Sequence, residues 1–254
     1  MKRRSLKHNS SGQVIIITAL LVASLLLSTA IYVFETEKDV PTADTAEENV
    51  LPAYQQGTIN TLISAIANVT NGGDPSVLTA DLNELNAAIT NDSYQAMLQM
   101  TYTPLNVAPY QNGIWISWGA DGQGVSSVYV SFVFDSSSSS TSSNLEYNVN
   151  VTTEADLSGN YQLDGNLMQV NLTVNVLNEG APSLAQNFTF YSENAVGGWV
   201  QVNSPSITDF GNGTYSVSFT TATDQLSDPL LVSMFCQDQR GIFVETNVTC
   251  TNTG

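Results

Sequence analysis

From Ile114 onward, apolar side chains alternate with polar ones in run after run, and that period of two constrains this chain more than any other feature. Ile114, Ile116 and Trp118 alternate with Trp115 and Ser117. A Gly-rich turn, Asp121-Gly122-Gln123-Gly124, then leads into Val128, Val130, Phe132 and Phe134, alternating with Tyr129 and Ser131. Successive side chains of a strand point to opposite faces, so the two runs predict a β-hairpin with one buried face. Leu145, Tyr147, Val149 and Val151 share another face, and Val170, Leu172, Val174 and Val176 a further one. Phe188 and Phe190, Trp199 and Val200, then Tyr215, Val217 and Phe219 follow, and Leu230–Cys236 and Ile242–Val248 close the series. Short alternating strands separated by turn residues predict an antiparallel β-sandwich.

Upstream the period is helical. Ile59, Leu62, Ile63 and Ile66 recur at 3.6-residue spacing, as do Leu78, Leu82, Leu85 and Ile89. Asp74 is placed to cap the second segment, Pro75 to open it, and Asn71-Gly72-Gly73 to turn between the two. Tyr94, Met97 and Leu98 suggest one more short helix. Ser136–Ser143, eight residues of Ser with one Thr, has no apolar area to bury and reads as a solvated linker or long loop.

Charge is distributed unevenly. Lys2, Arg3, Arg4 and Lys7 are four of the six basic residues, whereas all twenty-three carboxylates lie after residue 34. Between them Val14–Phe34 runs for twenty-one residues without a charge. As a helix this segment is roughly 30 Å long, enough to cross a bilayer core. The cluster of positive charge before it orients the N-terminus to the cytoplasm and places the remainder outside the cell. A cleaved secretory signal and a buried helix are the competing readings, and Ser28-Thr29-Ala30 is a poor cleavage site. Residues 35–50 are acidic, and Pro41 should end any continuation of the membrane helix.

The apolar run begins directly after Ser11-Gly12-Gln13. Over residues 1–34 this resembles the class III signal of archaeal type IV pilins and related surface proteins, which implies cleavage between Gly12 and Gln13 with the helix retained. Ser11 stands where that family usually has Lys or Arg, and Ile17 where many pilins carry Glu. A plain uncleaved anchor is the alternative. Asp209-Phe210-Gly211-Asn212-Gly213-Thr214-Tyr215-Ser216-Val217 is similar to the turn-then-strand signature of filamin-like, immunoglobulin-like surface repeats. The expected fold class is thus a membrane-anchored α+β protein with a small helical layer and a mainly antiparallel Ig-like β-sandwich. Its expected divisions are a basic head (1–13), transmembrane helix (14–34), acidic linker (35–52), helical layer (53–105), β-hairpin (106–135), Ser-rich linker (136–143) and sandwich (144–254).

Seven residues of the outer region satisfy the Asn-x-Ser/Thr rule: Asn68, Asn91, Asn150, Asn171, Asn187, Asn212 and Asn247. Asn150, Asn171, Asn187 and Asn247 have the parity opposite to their strands' apolar residues and Asn212 lies in a turn, so all five are expected to point outward. Asn9 also fits but belongs to the cytoplasmic side. Cys236 and Cys250 would ordinarily suggest a disulfide. Matching the apolar faces of the last hairpin instead pairs Cys236 with Ile242 and sets Cys250 beside Asp228. The thiols are then roughly 26 Å apart, whereas a disulfide needs Cα atoms within about 7 Å. No disulfide within the chain is expected; Cys236 becomes a buried thiol, and Cys250 a thiol near a loose C-terminus.

The sole His, His8, is in the basic head, leaving the outer region without imidazole. Only Lys38 and Arg240 are cations there, both expected at exposed positions, and neither is an evident base for a Ser nucleophile. So acidic a body also disfavours nucleic acid, which binds through Lys and Arg. Asp156-Leu157-Ser158-Gly159-Asn160 and Asp164-Gly165 offer oxygens at calcium-loop spacing, but Tyr161 and Leu167 stand where Gly and a bidentate acid belong. That stretch reads as a polar turn. Neither enzyme activity nor a cofactor or metal is expected. The expected function is a structural or adhesive cell-surface protein, pilin-like, with membrane lipid and like subunits or other surface proteins as partners. The alternative is a ligand-binding or sensory ectodomain of a membrane complex.

Overall fold

The computed structural model describes residues 43–92, 98–119, 121–137, 142–222 and 229–253. The expected membrane span, the Gly12–Gln13 junction and Lys38 lie outside these residues. No helix among the described residues is long and apolar enough to cross a membrane. The chain forms two compact units, Met1–Pro52 and Ala53–Gly254. Of the first, only residues 43–52 are described, and they are helical.

Helix α1 (Ala43–Thr70) and helix α2 (Val77–Asp92) precede the strands. α1 begins soon after Pro41 and passes through Pro52, so helix starts ten residues before the expected layer. Its buried stripe is Thr58, Leu62, Ala65, Ile66, Val69 and Thr70, a shift around the helix that leaves Ile59 and Ile63 half-buried. In α2, Leu78, Leu82 and Ile89 are buried, and the Ser76 amide donates to Asp74 Oδ1 at 2.8 Å, as an N-cap requires. The Ser76 side chain, and then this amide bond, hold the Asp74 carboxyl below its ordinary pKa.

The rest of the described chain is mostly antiparallel β-structure arranged as a sandwich. Sheet A follows the order β1 (Leu98–Pro104), β3 (Gln123–Ser137), β4 (Ser142–Asp164), β5 (Leu167–Asn178), β10 (Thr214–Ala222), β9 (Ser206–Asp209). Short strands β2 (Ile114–Trp118) and β6 (Ala181–Pro182) join it on β3 and β5. Sheet B is β12 (Phe243–Thr249), β11 (Leu231–Asp238), β7 (Ala185–Glu193), β8 (Trp199–Gln201). The expected hairpin is present, with Ile114 opposite Val128 and Trp118 opposite Gly124.

Three expectations give way here. Leu98, expected in a short helix, opens β1, a strand paired with β3, while Tyr94 and Met97 of that expected helix lie outside the described residues. The ends of the Ser tract are strand and not linker: β3 and β4 pair in register up to Ser137 opposite Ser142, because ladder bonds are made by the backbone and tolerate Ser, and residues 138–141 lie outside the described residues. Asp156–Asp164 is not a turn either. It is continuous strand paired with β5 from Thr153 to Asp164, and the turn is confined to Gly165 and Asn166. Eight strand residues hold Asp156 and Asp164 about 26 Å apart, so their carboxylates cannot converge on one ion.

β4 is the common element. Its first half pairs only with β3 and its second half with β5, so sheet A has two differently covered parts. Towards β1 the helices back it: the rings of Tyr54 and Phe134 stack at 6.5 Å, and the hydroxyls of Thr58 and Tyr147 meet at 2.7 Å. Towards β10 sheet B backs it, and one core joins Leu157, Val170, Leu172, Val174 and Val217 of sheet A to Phe190, Val232, Met234, Cys236 and Val244 of sheet B.

Candidate functional site

The two lateral edges of the sandwich are built differently. On one side the chain leaves β12, passes Cys250, and forms β13 (Thr251–Asn252), which pairs parallel with Asn160 and Tyr161 of β4. The Cys250 amide donates to Leu230 O at 2.8 Å, and Thr253 N donates to Tyr161 O at 3.0 Å. This crossover from the edge of one sheet to the other covers the core. Gly159 permits it, since a Cβ there would lie 2.7 Å from Cys250 Sγ.

That arrangement corrects the hairpin register. Cys236 faces Val244 and Leu231 faces Thr249, two residues away from the expected pairing, with the buried face unchanged. Both thiols are free and both are buried, so Cys250 is not the loose, available thiol expected. Burial pushes Cys236, with help from the Asp238 charge, up to about 12 and Cys250 up to about 11.

The opposite edge has no such cover. β8 and β9, three and four residues long, end the two sheets and are exposed throughout. Val196, Trp199, Val200, Ile207 and Phe210 are 90, 46, 50, 41 and 60% exposed, an unusual concentration of large apolar side chains in one short stretch. β8 pairs with β7 and β9 with β10, leaving their outer backbone groups without a ladder partner. The brevity of both strands limits uncontrolled edge pairing. From Asn194 to Thr208 the chain carries no charge. This apolar edge, bounded by Glu193 and Asp209, is the candidate interaction site.

A polar junction elsewhere in the second unit shows what Arg240 does. Arg240, expected at the surface, has a side chain only 20% exposed and ion-paired at 2.7 Å to both Asp238 and Glu179. Its Nη2 donates to Thr152 O at 3.0 Å and Thr153 Oγ1 at 3.1 Å; the fully buried Asp238 accepts from Thr153 Oγ1 at 2.9 Å. Burial alone would lower the guanidinium pKa, but the bonds to Glu179 and Asp238 outweigh it and the net shift is upward. Arg240 therefore links the β11–β12 turn to β4 and to the turn after β5.

The sequons fall in unlike settings. Asn68 and Asn91 are exposed on α1 and α2, and Asn150, Asn171, Asn187 and Asn212 are exposed on sheet strands or a turn. Asn247 has the outward parity expected of it but is half-buried. Its backbone N donates to Gly119 O at 3.0 Å and its O accepts from Gly122 at 2.8 Å, so the β2–β3 turn closes over it. Its Oδ1 is buried. Sequence parity could not foresee a turn covering the outer face of β12.

No protein-family model, curated protein or solved structure matches the chain.

Proposed function

We propose that this is a non-enzymatic structural or adhesive cell-surface protein, anchored by the helix expected over Val14–Phe34 and associating with copies of itself. The observation that carries this reading is the open β8–β9 edge, which presents five exposed apolar side chains with charge only at its margins, Glu193 and Asp209, on a chain of formal net charge −17. Two copies can meet at such a surface with little carboxylate repulsion, whereas charged faces of an acidic chain repel their own kind. The orders β4–β5–β10–β9 and β12–β11–β7–β8 correspond to strands A-B-E-D and G-F-C-C′ of an immunoglobulin-type sandwich, which supports the Ig-like part of the reading. β5 has no cysteine opposite Cys236, so the antibody-type core disulfide is not used.

The pilin-like part rests on the apolar run behind Gly12-Gln13 and on a helix, α1, whose buried face belongs to the outer unit. Immunoelectron microscopy of the native protein tests the assembly. Labelled filaments or clusters are the expected result, and they should be lost in the double variant Trp199→Ser, Phe210→Ser. Unchanged assembly in that variant would overturn the role of the edge.

A further inference from the structure

The five sequons on the strands and turns of the two sheets separate by sheet. On sheet A, Asn171 is exposed in the middle of β5 and makes no side-chain hydrogen bond to the described residues; Thr173, which completes its sequon, is exposed on the same face. Around it lie Asn160 of β4 and Ser218 of β10, its direct cross-strand neighbours. Asn212, in the turn before β10, uses only Oδ1, accepting from Thr214 N at 3.1 Å. Asn150 of β4 likewise uses only Oδ1, accepting from Ser127 at 3.0 Å and Thr152 at 3.1 Å. In all three the amide nitrogen, the atom a glycan would occupy, is unengaged.

Sheet B is the reverse. Asn187 sits at a left-handed φ of 57° beside the register shift in the β7–β11 pairing, and its Nδ2 donates to Gln237 Oε1 at 2.8 Å. Asn247 lies under the Gly119–Gly122 turn. Asn247 is half-buried with its Oδ1 covered, so a sugar added there would press against that turn and its backbone bonds.

We infer that Asn150, Asn171 and Asn212 carry N-linked glycans and that Asn187 and Asn247 stay bare, so the sandwich is sugar-coated on the outer face of sheet A alone. The donor class is a lipid-phosphate-linked oligosaccharide. The amide Nδ2 forms a bond to the anomeric carbon, the carbon–oxygen bond to the phosphate breaks with its electrons leaving on the lipid phosphate, and one amide proton is released. The inference rests on the reading that this unit is extracellular.

Glycopeptide mass spectrometry of the full-length protein from native membranes tests it, alongside external protease on intact cells. Glycan is expected on the Asn150, Asn171 and Asn212 peptides and not on those of Asn187 and Asn247. Asn171→Gln and Thr173→Val should each remove one glycan, while Thr173→Ser retains it, which separates sequon loss from misfolding. A body cut by external protease but bare at Asn171, or glycosylated at Asn247, overturns the inference alone. A body protected from protease overturns the extracellular reading beneath it.

Discussion

The two ends of β4 carry the same sequence pattern and reach the same burial by different means. In the first half Val149 and Val151 are buried and Tyr147 meets Thr58 of helix α1; in the second, Ala155, Leu157 and Tyr161 face a second sheet. The helix-backed part is fastened by aromatic stacking and a hydroxyl pair, with Phe132, Phe134 and Tyr147 in contact. The two-sheet part is fastened by aliphatic interdigitation and the Arg240 junction. Alternation specifies a buried face, and it leaves open which kind of layer does the burying.

The largest expected effect tests whether the two cores are one. Phe132→Ala, at a fully buried site of the helix-backed part, should cost about 4 kcal/mol. Because β4 belongs to both cores, calorimetry should show a single transition at lower temperature. Two separated transitions would show that the halves unfold independently. Arg240→Ala should cost about 3 kcal/mol in a denaturant melt, because it strands the buried Asp238 carboxylate. A loss under half a unit would show the junction to be ornamental. Thr58→Val removes the hydroxyl pair between α1 and β4 and should cost about 1 kcal/mol.

The thiols give a pH test on the two-sheet part. The folded Cys236 and Cys250 titrate near 12 and 11 against an ordinary 9.0, so the folded chain keeps protons that the unfolded chain has released. Their contribution to stability is full below pH 9 and declines as pH rises from 9 towards 11. Cys250→Ser should flatten that decline, and native protein at pH 8 should resist alkylation at both sites until unfolded. The smallest stability effect belongs to the open edge: Trp199→Ser should change unfolding free energy by less than about 0.5 kcal/mol.

Much of this architecture is legible in the sequence, and the failures have physical causes. Buried faces of the longer strands from Val128 to Val248 follow from alternation, and the α2 cap from Asp74-Pro75, but the face expected of Ile114, Ile116 and Trp118 does not: the last two are exposed. Leu98 misleads because three apolar residues at helical spacing are too few to outweigh a vacant place beside β3. The Ser tract misleads because composition reports what side chains can bury, while the β3–β4 ladder is made by backbone. Arg240 reads as a surface charge, yet a lone cation in an acidic body, two residues from Asp238, was a signal that it would be claimed by an acid. The open edge was also visible in principle. Trp199 and Val200 are adjacent, so one strand cannot turn both inward, and the structure exposes both.

Because β4 is shared, it also sets an order of assembly. β2, β3, β4 and β5 pair with their immediate neighbours in sequence, so this meander closes short loops. β10 returns to β5 only after β7, β8 and β9 have passed, and β13 reaches β4 from the far end of the chain. Loop closure entropy makes such distant pairings slow. The helix-backed part should therefore form first and offer β4 as the template on which β5 and then the second sheet are laid. A sequence change at the middle of β4 would act as a kinetic bottleneck for both cores, even where the finished fold tolerates it.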